Sequence, residues 1–316
     1  MPSAALAGKV AGRGSQLARM VAKYRSVDPF GELWIIAVDE PAGDAATATL
    51  TITGKAQASG TISLYVSTSR IQAAVVTGDA ASAVATTLAA AINANADLPV
   101  TATAAAGVIT LTARHKGLAG NDIPLTVNYY GTVGGETTPD GITVAITAMS
   151  GGTGAPDLGD MVASMGDEPF DFIGTPFSDA ASLATMALEM NDSTGRWSYA
   201  RQLYGHVYTA KIGTLSELVA FGDTMNNQHI TVAGYEPDVQ TSADELVALR
   251  TARNAVFIRN DPARPTQTGE LTGALPAPAG TRFTLTEQQS LLMHGIATAY
   301  AEGGVLRIQR DITTYQ

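Results

Sequence analysis

The helix and strand rhythm of this chain breaks off and later resumes. A helix-then-strand unit at Ser15 to Glu40 is followed by a long Ala/Thr/Gly-rich stretch with the period of β-strands, and helix/strand alternation returns near Asp157 and runs to the last residue. A parallel sheet needs crossover helices between its strands, whereas the intervening stretch supplies hairpins. The expected fold class is therefore α/β. A mostly parallel sheet layered with helices (1–40 and 152–316) is interrupted by an inserted β-rich α+β domain (41–151).

Size and charge bound the function. With 316 residues and 45% hydrophobic content, the chain is long enough for two packed cores. Lys and Arg number 19 against 29 Asp and Glu, a net charge of −10, so no basic surface is available to neutralise phosphates. Nucleic acid and anionic membrane are not expected partners. The chain has no cysteine, which rules out disulfides and thiolate metal sites. The longest mildly apolar run, Ala80 to Ala96, is broken by Ser, Thr and Asn and is no membrane span. Only 15% of residues are charged, and so neutral a surface tolerates close packing against neighbours.

Periodicity assigns the elements. Leu17, Met20, Val21 and Tyr24 form a helix stripe with Ser15 as N-cap, and Asp28, Pro29 and Gly31 stop it. Glu32 to Val38 (ELWIIAV) reads as a strand covered on both faces. In the insert, Ala48 to Thr53 and Thr61 to Val66 read as two antiparallel strands, Ala80 to Asn93 as a helix with Val84, Leu88 and Ile92 on one face, and Val100 to Ala104 and Val108 to Arg114 as a hairpin turning at Ala106-Gly107. Ile123 to Tyr130 and Ile142 to Met149 are further strands, and Ser150 to Pro156 is a linker. Helix stripes at Leu158–Met165, Leu183–Met190 and Leu215–Met225 then alternate with strands at Phe170–Thr175, His206–Lys211 and His229–Ala233. The closing expectations are a helix at Asp244–Ala255, a strand at Val256–Arg259, a loop at Asp261–Gly280, a helix at Thr286–Ala301 and a strand at Val305–Tyr315.

No catalytic set assembles along the chain. The histidines are His115, His206, His229 and His294, and no G-x-S-x-G elbow accompanies them. His206 and His229 open strands, where a hydrogen-bonding histidine is the plain reading. Asp157 with Asp160, and Asp167, Glu168 and Asp171, sit beside helix starts that favour carboxylates without any ion. The loop Gly12-Arg13-Gly14-Ser15 lacks the preceding strand and the Lys-Ser/Thr of a phosphate loop. Trp34 and Trp197 read as core residues, and Asn121-Asp122 as a turn without alternating calcium ligands. No catalytic, cofactor-binding or metal residue is assigned.

Three segments carry a resemblance. Gly14 to Glu40 (GSQLARMVAKYRSVDPFGELWIIAVDE), the turn Lys116 to Asp122 (KGLAGND) and the ending Leu306 to Gln316 (LRIQRDITTYQ) are similar to contractile phage tail sheath proteins of the Mu-like type. The resemblance implies a structural virion protein, of phage or prophage origin, with a core called subtilisin-like. Its partners would be further copies of itself, the tail tube protein and the baseplate. Subunits would stack helically around the tube, linked by terminal arms that add strands to neighbouring sheets. Contraction would drive the tube through the host envelope for genome ejection, without ATP. The expected location is the virion, and the host cytoplasm during assembly. Recognisable arms are missing from both ends, so the chain is expected to be the core of a longer protein, monomeric by itself, with the insert pointing outward. Two other classes stay open: a serine hydrolase on a subtilisin-like framework, for which a histidine would reach both a serine and a carboxylate, and a host-surface binder presenting exposed aromatics on the insert.

Overall fold

Helices α1 (Ala4–Ala11) and α2 (Gln16–Val27) open the chain in the computed structural model, which describes residues 2–316. The α2 stripe lies as its spacing predicts: Val21 and Ala18 are buried against Ala7 of α1, with Leu17 packed beside them. The helix ends where Asp28 Oδ1 accepts the Gly31 amide at 3.0 Å. Helix α1 has no counterpart in the sequence reading, because its Ala/Gly-rich run carries no apolar stripe.

The next segment corrects an expectation. Residues 32–38 form no strand. Leu33 and Ile35 pack toward α1 and α2 and Val38 toward another apolar cluster, while Trp34 is 56% exposed rather than core. An apolar run marks a stretch fit to be a strand, but strand status needs a partner within hydrogen-bonding distance.

The chain divides into two compact units: residues up to Ala11 with Gln16–Asp39 and Ala155–Gln316, and Gly12–Ser15 with Glu40–Gly154. The second unit contains two antiparallel sheets and one helix. Its strands are β1 (Ala45–Gly54), β2 (Gly60–Val66), β3 (Ser69–Val75), β4 (Val100–Ala105), β5 (Val108–Lys116), β6 (Leu125–Val127) and β7 (Ile142–Ser150), with α3 (Ala81–Ala94) between β3 and β4. The sheet orders are β4-β5-β1-β7 and β3-β2-β6. The first two strands are antiparallel as expected but lie in different sheets, because the chain between Gly54 and Gly60 changes sheets and β2 turns back on β3. That hairpin turns through Ser67 at φ +51°, without the Gly or Asn that would have announced it. The β4–β5 hairpin turns as predicted, with Ala106 at φ +54°. The long strand expected at Ile123–Tyr130 shrinks to β6 because Asn128, at φ +55°, turns the chain away.

Alternation on β1 buries Leu50 and Ile52, and α3 covers the sheet with Val84, Leu88 and Ile92. Asn93 fastens that helix to β4: its amide donates to Ala102 O at 2.7 Å and its carbonyl accepts Ala102 N at 2.9 Å. Each fully buried leucine or isoleucine here stabilises the unit by about 1.5–3 kcal/mol relative to exposure.

The first unit is mixed α/β. It continues through α4 (Gly159–Met165), β8 (Phe172–Gly174), α5 (Ala180–Glu189), β9 (His206–Ile212), α6 (Leu215–Gly222), β10 (Ile230–Tyr235), α7 (Ala243–Asn260), α8 (Leu285–Met293), β11 (Ile296–Glu302) and β12 (Val305–Arg310). The sheet runs β12-β11-β10-β9-β8, parallel from β8 to β11 and antiparallel at β12. Helices α6 and α8 start at capping boxes, Thr214 with Glu217 and Thr284 with Glu287.

Two assignments near the C-terminus are corrected. Val256–Arg259 is the last turn of α7, with Phe257 O accepting the Asp261 amide, so packing along α7 overrides the strand propensity of VFIR. The long helix expected at Thr286–Ala301 stops at Met293, where Gly295 takes φ +71°, and the remainder becomes strand β11. Beyond Arg310, residues 311–316 are extended and unpaired as strand, which shortens the predicted final strand.

Candidate functional site

The histidines are engaged in framework contacts. His206 opens β9, with Nε2 2.8 Å from Thr231 Oγ1, and the Thr231 hydroxyl donates to Ile312 O at 3.0 Å. Because the threonine proton is used there, His206 Nε2 must carry a hydrogen and donate it. Burial pushes the His206 pKa down to about 4; the nearby Asp311 carboxylate opposes the shift and His229 adds to it. His229 Nε2 lies 2.8 Å from Asp192 Oδ1, and its ring stacks on Trp197 at 4.3 Å. His294 Nδ1 lies 2.5 Å from Asp223 Oδ1. His115 lies within β5, in the other unit. The partners of the first three are a threonine and two aspartates, none of them a serine.

The acidic residues flagged in the sequence stay exposed. Asp157 Oδ1 accepts the Gly159 amide at 2.9 Å, and Asp160 sits in the first turn of α4. Asp167 faces Arg201 at 3.6 Å, and Asp171 offers its carbonyl to the His206 amide. Among the described residues, no group of three or more His, Asp or Glu is placed to hold a metal ion. In the second unit, Arg13 pairs with Asp97 at 2.7 Å across the surface. Asn121 belongs to a 3-10 turn, Leu118–Asp122, and locks it: its amide donates to Gly152 O at 3.0 Å and its carbonyl accepts Gly152 N at 2.8 Å.

Two features escaped the sequence reading. The first is a strap. Residues 311–316 run past the start of β10, where Thr314 N donates to Ile230 O at 2.9 Å, Asn227 N donates to Thr314 Oγ1 at 3.1 Å and Gln316 Nε2 donates to Gly222 O at 3.0 Å. Arg250, fully buried in α7, anchors it by donating to Asp311 Oδ1 (2.7 Å), to Tyr235 Oη (3.1 Å) and to the carbonyls of Thr298 and Arg310. Asn254 donates to Asp311 Oδ2 at 2.8 Å. Burial raises the Asp311 pKa, but Arg250 and Asn254 outweigh it and hold the carboxyl below its ordinary range. An arginine inside a helical run carries no signal that it will be buried.

The second feature is an open groove of about 570 Å³ in the first unit. Trp34, Ile36, Met165 and Phe170 line it, with Asp167 and Glu168 on the wall. Trp34 meets the Phe170 ring edge-on at 5.9 Å. Among the described residues, no helix is long and apolar enough to cross a bilayer.

Comparison with known proteins bears on what these surfaces serve. The phage tail sheath protein central domain matches residues 151–314, more than half of the chain. The chain belongs to the phage tail sheath family. The beta-sandwich domain of phage tail sheath proteins matches residues 41–154 of this sheath chain. The Mu-like prophage FluMu tail sheath protein of Haemophilus influenzae is 35% identical over 310 residues, covering 96% of this chain and 61% of that relative. A crystal structure of a sheath tail protein from Desulfitobacterium hafniense aligns with a TM-score of 0.45 and 15% identity, covering 95% of this chain and 63% of that one. The sheath chain thus spans under two thirds of the length of either. The Mu-like resemblance read from its motifs is borne out, and the family is structural rather than enzymatic.

Proposed function

We propose that this chain is the core of a contractile tail sheath subunit, a virion component whose copies stack helically around a tail tube. The observation that carries the reading is the succession of two sheath domains, at 41–154 and 151–314, along one chain. On this reading the tube protein and the baseplate are its other partners, assembly takes place in the host cytoplasm, and contraction drives the tube through the host envelope. The subunit does its work through contacts and needs no reaction centre. The framework contacts of His206, His229 and His294, to a threonine and two aspartates, are consistent with that.

The same reading divides the chain into a discontinuous domain, 1–40 with 152–316, and an inserted one, 41–151. The four parallel strands from β8 to β11 support a subtilisin-like layering of the former. Fold alone carries no activity. Residues 1–316 by themselves are expected to be monomeric. Electron microscopy of the protein expressed from its intact gene tests the proposal. Helical tubes or polysheaths are expected, and persistent monomers would refute it.

A further inference from the structure

We propose that the second unit carries a binding patch for a neutral saccharide, built on Tyr65, Tyr129, Tyr130 and Arg70. The patch lies in the inserted strands and goes beyond the sheath reading, on which it does not depend.

Alternation on β2 sets the floor. Ile62, Leu64 and Val66 belong to the core, which turns Ser63 and Tyr65 to the opposite face of the β3-β2-β6 sheet. Tyr65 is nevertheless only 2% exposed, because the loop of residues 128–141 between β6 and β7 folds back against it. Its ring lies 5.6 Å from that of Tyr129 and 6.0 Å from that of Tyr130, and the latter two meet edge-on at 5.0 Å. Contacts of this kind fix the ring planes.

A buried carboxylate locks the loop in place. The Glu136 side chain, 1% exposed, accepts the Tyr65 hydroxyl at 2.6 Å and the Tyr130 amide at 3.0 Å, and Arg70 Nε lies 3.1 Å from it. Gly134 lets the loop close on itself, since a Cβ there would stand 2.3 Å from Tyr130 Cβ. Tyr130 is therefore held through its backbone and its ring, yet it stays 54% exposed, with fully exposed Val133 at the loop tip. A tyrosine fixed in advance offers a broad contact face at little entropic cost.

The chemistry of the patch selects its ligand. Arg70 and Glu136 face each other and cancel, so the tyrosines offer no net charge to an ionic partner. The loop also spends its amides on itself: those of Gly131, Gly134, Gly135 and Glu136 donate to carbonyls of residues 128–132, and they are not offered to a peptide strand. What remains is aromatic surface, whose negative π-faces suit the partly positive C–H groups of a sugar ring. Beside it stands the Arg70 guanidinium, its side chain 44% exposed, with more N–H donors than its bonds to Ser63 and Glu136 consume. A ring with an apolar C–H face and hydroxyls at its rim fits both features.

Saturation-transfer NMR tests the patch. The 316-residue chain is titrated with lactose, maltose, cellobiose and diacetylchitobiose to about 20 mM, and with sialyllactose as the charged counterpart. Transfer to the ring C–H groups of at least one neutral disaccharide is expected, weakened about tenfold or more in Tyr130→Ser and less in Arg70→Gln. Tyr199→Ser, at a 91% exposed tyrosine of the first unit, should leave it unchanged. In the wild-type chain with labelled tyrosines, the same sugar should shift Tyr129 and Tyr130 and spare Tyr199 and Tyr204, which reads the site without any substitution. No transfer from any neutral disaccharide, transfer that survives Tyr130→Ser, or shifts confined to Tyr199 and Tyr204 would overturn the patch. Tighter binding of sialyllactose than of lactose would overturn the neutral ligand.

Discussion

Replacing His206 by glutamine should flatten part of the pH dependence of stability in the first unit. The imidazole has an ordinary pKa of 6.5 and is pushed down to about 4 by burial. Between those values the unfolded chain binds a proton that the folded chain refuses, so this group makes stability fall as pH drops from 6.5 toward 4 and level off below. A tenfold difference in proton affinity between the folded and unfolded chain is worth about 1.4 kcal/mol, so the full effect is about 3 kcal/mol, of which about 2 kcal/mol is lost between pH ~7 and pH ~5. The added proton must go to Nδ1, because Nε2 already donates to Thr231. Urea unfolding followed by tryptophan fluorescence isolates this effect, since Trp34 and Trp197 both lie in the first unit. The wild-type chain should lose about 2 kcal/mol more than His206→Gln over that interval. Parallel pH profiles would refute the assignment of a buried, neutral His206.

Two other substitutions probe the anchors. Asn121→Ala removes both bonds to Gly152 and should cost about 2 kcal/mol in the second unit, read by thermal unfolding in circular dichroism; a loss within ~0.5 kcal/mol would mean the clamp is dispensable. Arg250→Ala strands the Asp311 carboxylate and should cost about 3–5 kcal/mol, while Arg250→Met combined with Asp311→Leu recovers most of it. Equal losses in the single and double variants would show that the arginine acts by packing rather than by pairing.

The elements that could be read from the sequence were those whose signal is local. Val84, Leu88 and Ile92 declare α3 by spacing, Ala106-Gly107 declares its hairpin, and the alternation after Asp157 declares a mixed α/β unit. The motifs at 14–40, 116–122 and 306–316 were enough to point to the family. Where the reading failed, the deciding contact lay far along the chain. VFIR at 256–259 and ELWIIAV at 32–38 both look like strands, yet one continues a helix and the other pairs with no strand among the described residues. Arg196 and Arg250 look like surface residues, and only the carbonyls and carboxylates gathered from distant segments make their burial tolerable. Sequence periodicity determined which faces are apolar. Tertiary structure decided which of them found a partner, because pairing and burial are properties of segments brought together, not of one segment alone.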